Sequence, residues 1–175
     1  MGIFNRRPKL PADRRPPLDR DERVLAWASV ADGDQVVVVT NHGLWLPDDE
    51  QRLGWHDIHK ATWSGRELLV TPAEMVEERD DYRVLADRPF RTYLLPDPGE
   101  VPHQVRVRVT RSVAYTAHHQ LPGGGVRVAA RRVSGVDGLT WTVRYDPGTA
   151  TDSEAVVAET ARLVAAARNA ASTDD

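Results

Sequence analysis

The sequence predicts a mainly β, α+β domain of about seven antiparallel strands in two sheets, capped by one C-terminal α-helix. Two observations carry that prediction. Residues 35–70 (QVVVVTNHGLWLPDDEQRLGWHDIHKATWSGRELLV) read as strand, tight turn, strand, loop, strand, tight turn, strand, and residues 113–145 form a second meander. The long Ala-rich stretch with helical periodicity follows Asp146-Pro147-Gly148, which ends the sheets.

The first 21 residues form a basic, Pro-rich leader. Pro8, Pro11, Pro16 and Pro17 forbid a continuous helix, and Arg6, Arg7, Lys9, Arg14, Arg15 and Arg20 make the segment positive. Its composition favours a flexible, solvated arm. Ile3 and Phe4 beside Arg6 and Arg7 suit contact with an anionic membrane, where each basic residue contributes about 1 kcal/mol.

Residues 22–171 are expected to form the domain and residues 172–175 a frayed tail. Glu22 to Ala31 is apolar on both alternating faces and reads as a buried strand, with a turn at Asp32-Gly33-Asp34. Val36 to Thr40 is a β-branched run, and Asn41-His42-Gly43 supplies residues that tolerate positive φ. Ile58 to Trp63 and Arg66 to Thr71 flank Ser64-Gly65, a second hairpin signal. Pro72 to Asp81 is acidic and reads as one or two helical turns. Tyr82 to Leu85 and Phe90 to Leu95 read as short strands, with a break at residues 96–99.

From Pro102 the pattern fits two structures. Val105, Val107 and Val109 alternate with Arg as a strand would, while Pro102 and the Val105/Val109/Val113 spacing fit a helix; the β-branched content favours strand. Val113 to Leu121, Val126 to Val133 and Leu139 to Tyr145 then alternate as strands. Leu139, Trp141, Val143 and Tyr145 share one face of the last, and Thr140, Thr142 and Arg144 the other. Thr151-Asp152-Ser153-Glu154 is a capping-box pattern opening a helix to about Ala171, with Val156, Thr160, Leu163, Val164 and Ala167 on its apolar stripe.

Composition sets the functional classes. A chain of 175 residues with 41% hydrophobic content suits one domain with a core. A net charge of -3 argues against nucleic acid as a partner. The absence of cysteine removes disulfides, thiolate nucleophiles and Cys-ligated zinc, and fits the reducing cytoplasm. No apolar run approaches the roughly 20 residues of a membrane helix, and there is no secretory h-region or myristoylation pattern after Gly2.

The segments ERVLAWASV, VVVTNHGLWLP, RLGWHDIHKATWSG, AYTAHHQLPGGGVRV and GLTWTVRYD resemble those of small actinobacterial proteins of unknown function with a bacterial pleckstrin-homology-like domain. That resemblance implies a partly open barrel of two sheets plugged by the helix. It also implies binding of a lipid, peptide or partner, with no activity dictated by the fold. The stretch from Ala73 to Pro102 exceeds what a compact version of that fold needs.

No nucleophile elbow or phosphate loop is present; Gly123-Gly124-Gly125 joins two strands as a hairpin. No catalytic residue, metal site or cofactor is therefore expected, and a non-enzymatic module is favoured over an enzyme. Trp55, His56, Asp57, His59 and Trp63 form a polar-aromatic group unexplained by folding, with Trp55 and Trp63 expected to be partly exposed. Arg106, Arg108, Arg127 and Arg131 belong to the densest positive group in the folded part, with Arg106 and Arg108 sharing a face if their segment is a strand. Together these predict an interaction module for a protein partner or an anionic, at most peripherally contacted, membrane surface. The alternative is a metal- or small-ligand-binding protein, or an enzyme, using His56, His59, His118 and His119. Strand alternation separates His56 from His59 and His118 from His119, so a shared site needs histidines from different strands.

Overall fold

Glu22 is the first residue that burial fixes in place, and the fold can be followed from it. The structure, a computed structural model, describes residues 8–173. The membrane contact expected of Ile3, Phe4, Arg6 and Arg7 lies outside the described residues, as do Asp174 and Asp175. The Glu22 carboxylate is wholly enclosed and accepts hydrogen bonds from the Thr40 hydroxyl (2.7 Å), the Trp45 indole (2.9 Å), Arg52 (2.7 Å) and the Asp19 amide (3.0 Å). Burial opposes its charge, but these donors outweigh burial and hold it below the usual glutamate range. The leader is thereby tied to the domain, and further along Trp27 donates to the Pro8 carbonyl and Arg14 pairs with Asp34.

Strands β1 (Val24–Ser29), β2 (Val36–Thr40), β3 (Gly43–Trp45) and β4 (Leu53–Gly54) form a four-stranded antiparallel sheet in chain order. Val37 and Val39 face a core with Leu44, Leu46, Trp55 and Ile58. Val38 and Trp45, paired across β2 and β3, point the other way and line one pocket with Arg14, Pro16 and Pro17 of the leader. The valine run is thus buried on both faces because the leader covers the outer one. The turn at Asn41-His42-Gly43 uses no positive φ. Gly43 is needed instead for close approach, since a Cβ there would lie 2.4 Å from the Leu53 carbonyl oxygen.

The larger sheet has the order β5-β6-β7-β11-β10-β9 and curls into a half-barrel; with two helices, one of them C-terminal, the whole is consistent with a pleckstrin-homology-like α+β fold. After a 3₁₀ turn (Trp55–Asp57), β5 (Ile58–Trp63) pairs with the first half of β6 (Glu67–Glu78), whose second half pairs with β7 (Arg83–Asp87). The acidic stretch from Pro72 is therefore strand, not helical turns. Pairing to β7 supplies the ladder, and Pro72 sits where the β5 register shifts. Strand β8 (Arg91–Leu94) pairs with the first half of β6.

Helix α1 (Val101–Ser112) corrects the strand expected at Val105 to Val109. Pro102 lies in its first turn, and Val101 and Val105 enter the first core with Val109 packed against it, an i, i+4, i+8 stripe. Tertiary burial overrides the modest helix aversion of valine. Strands β9 (Val113–Leu121), β10 (Gly124–Arg131) and β11 (Thr140–Tyr145) follow as a meander, and β11 joins β7 in parallel, so the larger sheet is not antiparallel throughout. Helix α2 (Glu154–Thr173) covers this half. Val156, Thr160, Val164 and Ala167 bury against Val126, Val128, Ala130, Trp141 and Val143, forming a second core. No helix among the described residues is long and apolar enough to cross a membrane.

Candidate functional site

With Val126, Val128 and Ala130 turned to the second core, strand alternation puts Arg127, Ala129 and Arg131 of β10 on the opposite face. The β10–β11 register sets Arg127 opposite Arg144 and Ala129 opposite Thr142, and β9 adds Thr116. Strand β5 brings His59 to the same place. These residues line a pocket of about 330 Å³.

Arg131 is 8% exposed, and its guanidinium donates to the Ser112 hydroxyl (2.7 Å) at the end of α1 and to the Ile58 carbonyl (3.0 Å) of β5. Arg127 is exposed and donates to the Thr116 hydroxyl at 3.3 Å. Neither has a carboxylate within 4 Å among the described residues. Arg144 does: its Nη1 lies 2.8 Å from Asp87 Oδ1, and the same oxygen lies 2.6 Å from His59 Nδ1. Asp87 is held below the usual carboxylate range, because hydrogen bonds from His59 and Arg144 outweigh the opposing effect of burial. His59 is pushed below the usual imidazole range, chiefly by burial, with the Arg144 and Arg131 charges adding to it and Asp87 opposing. Neutral His59 beside an ionised Asp87 therefore carries its proton on Nδ1.

Arg131 has the reverse difficulty. Burial lowers its proton affinity, and Asp57 on the preceding 3₁₀ turn offsets this only through space. A buried guanidinium held by neutral acceptors gains from an added anion. The arrangement can bind a small oxyanion through three guanidinium groups and two threonine hydroxyls. It offers no activated nucleophile.

Three of the nine residues singled out from the sequence, His59, Arg127 and Arg131, meet here. The others lie elsewhere. Trp55, expected to be partly exposed, is 4% exposed and donates to the Thr40 carbonyl within the first core. His56 Nε2 lies 3.2 Å from Asp57 Oδ2, a local pair beside the pocket. Trp63 and Arg106 line a separate pocket between β5 and α1. Arg108 does not share a strand face with Arg106, because both are helical; its Nε is buried without a hydrogen-bond partner, and burial together with Arg111 and Arg23 lowers its proton affinity.

The paired histidines separate as alternation requires. His118 is on the polar face, 2.7 Å from Asp146, whereas His119 lies opposite Val126 on the face toward α2. A candidate cation cluster of Asp19, Glu22 and His42 contains none of the strand histidines singled out above. Its carboxylates are already engaged by Arg52, Thr40 and Trp45, which makes it an ion-paired tether for the leader. Asp87, Arg144, Thr116 and Thr142 were missed as site residues. Arg144 had a signal in the β10–β11 hairpin; Asp87 had none.

Comparison with protein-family models, curated proteins and solved structures finds no match for this chain.

Proposed function

We propose that this protein is a non-enzymatic interaction module of the pleckstrin-homology-like kind that holds an anionic group of its partner in the pocket between β5 and the polar face of β9–β11. One observation carries the reading: the side chains of Arg127, Arg131 and Arg144 converge on one small pocket with His59, while Asp87 is the sole carboxylate ion-paired to any of them among the described residues. Coulombic attraction in a partly desolvated pocket exceeds that on an open surface. The sequence resemblance to small actinobacterial proteins supports the same class. The lack of cysteine supports a cytoplasmic setting.

Thermal unfolding with sulfate, phosphate or acetate, against chloride at equal ionic strength, tests this. A ligand that binds only the folded state raises Tm. Oxyanions are expected to raise the wild-type Tm beyond chloride, and Arg127→Glu, an exposed substitution, to abolish the difference. Equal behaviour of both proteins, or no oxyanion effect beyond chloride, refutes it.

A further inference from the structure

We propose that the pocket is a proton-linked site for a doubly charged oxyanion of the phosphate-monoester class, with His59 taking up a proton as the anion enters. This rests on the pocket being an anion site, and it adds the charge of the ligand and the means of its regulation.

The charge follows from the lining. Of the three guanidiniums that line it, Arg144 is ion-paired to Asp87, while Arg127 and Arg131 have no ion-paired carboxylate among the described residues, Asp57 acting on Arg131 only through space. Two positive charges are thus left unpaired while His59 is neutral. A monocarboxylate neutralises half of that excess; a phosphate-monoester dianion matches it, and its several oxygens accept from guanidiniums in different directions. Thr116 accepts from Arg127, so its own hydroxyl proton is free to donate, and Thr142 adds a second hydroxyl to the wall.

The proton linkage follows from one oxygen. Asp87 Oδ1 is shared between His59 Nδ1 at 2.6 Å and Arg144 Nη1 at 2.8 Å. The charged groups acting on His59 are Asp87 from β7, Arg131 from β10 and Arg144 from β11; Asp57, on the turn before β5, acts on Arg131. An anion in the pocket adds negative charge beside His59 and draws Arg144 toward itself, leaving Asp87 more fully to the imidazole. Both changes favour imidazolium. By linkage, whatever factor the anion adds to proton affinity, protonation adds to anion affinity. Binding therefore strengthens as pH falls through the imidazole range, and at low pH protonated His59 adds its positive charge to the unpaired ones of Arg127 and Arg131.

The experiment is an NMR titration of the full chain from pH 5 to 8, following the His59 ring protons, with and without sodium sulfate at constant ionic strength. Sulfate remains a dianion across this range, so any change in protonation belongs to the protein. His59→Gln supplies the assignment and the control. Sulfate is expected to raise His59 proton affinity at least threefold, and to bind wild-type protein at least threefold more tightly at pH 5.5 than at pH 7.5. His59→Gln should still bind sulfate but lose that pH dependence, and acetate should bind at least tenfold more weakly. Sulfate binding with an unmoved His59 titration, an unchanged pH dependence in His59→Gln, or acetate binding equal to sulfate overturns the inference while leaving the anion-binding module standing. Absence of any sulfate binding overturns both. Glycerol phosphate and vesicles containing phosphatidic acid, compared at pH 7, separate a soluble ester from a lipid headgroup; binding of either supports the phosphate class, and binding of neither while sulfate binds overturns it.

Discussion

Removing the Glu22 carboxylate gives a sharp test of how the leader and the first sheet are held. In Glu22→Ala, four donors lose their acceptor: the Thr40 hydroxyl, the Trp45 indole, Arg52 and the Asp19 amide. They do not count equally. Thr40 has a second acceptor, the Gly43 carbonyl at 3.2 Å, while the Arg52 side chain keeps Asp19 at 3.1 Å and, 26% exposed, can regain water. Trp45, 8% exposed, donates to no other acceptor among the described residues. One orphaned buried donor costs about 1–3 kcal/mol, and a lost charge-assisted hydrogen bond about 1.5–3 kcal/mol before water recovers part of it. The sum is about 3 kcal/mol, or a fall of roughly 6–12 °C in Tm for a chain of this size. Glu22→Gln should fall between wild type and Glu22→Ala, because an amide oxygen still accepts. The sign with pH is also fixed: a carboxylate whose folded pKa is lowered stabilises fully above its ordinary value, about 4.3, and loses that contribution as pH falls through the lowered value. Circular dichroism melts of the three proteins at pH 7 and pH 3 measure both effects. A loss below about 2 °C for Glu22→Ala at pH 7 would refute the network as an anchor.

Two further outcomes follow from the geometry. Gly43→Ala should destabilise by about 1–3 kcal/mol in urea titrations, because the new Cβ meets backbone at Leu53; an unchanged midpoint would show that β4 moves freely. His59, its proton affinity depressed by burial, contributes stability present above the ordinary imidazole pKa of about 6.5 and lost as pH falls through its lowered value. In anion-free buffer the Tm difference between wild type and His59→Gln should therefore shift against wild type as pH drops from 7.5 to 5, and a flat difference would contradict the burial of the imidazole.

The hairpins between residues 35 and 70 were legible because turn residues and β-branched runs act locally. Helix α1 was not, because Val101, Val105 and Val109 satisfy a helical stripe while Val105, Val107 and Val109 satisfy a strand; only the first core, assembled from distant residues, decides between them. Trp55 was misjudged for a similar reason. Its polar neighbours suggest exposure, yet the short 3₁₀ turn swings the indole inward to the Thr40 carbonyl. In the pocket, His59, Arg127 and Arg131 stood out by type and charge, but their convergence depends on β5 and β10 meeting at positions more than 65 residues apart. The Arg127–Arg144 opposition follows from the β10–β11 register and was within reach of sequence reasoning. Asp87, on a short strand after an acidic run, resembles any solvated carboxylate until the fold sets it against His59.

Strand β6 is one continuous strand, pairing with β5 and β8 in its first half, where Leu68 and Val70 enter the first core, and with β7 in its second. Arg131 provides a side-chain counterpart to that continuous backbone, reaching from β10 to Ser112 and Ile58 on the other half. The pocket therefore spans a seam: His59 comes from one half, and Arg127, Arg131 and Arg144 from the other. A ligand seated there is a removable rivet. It couples the unfolding of the two halves when present, and its departure leaves β6 and Arg131 to carry the joint.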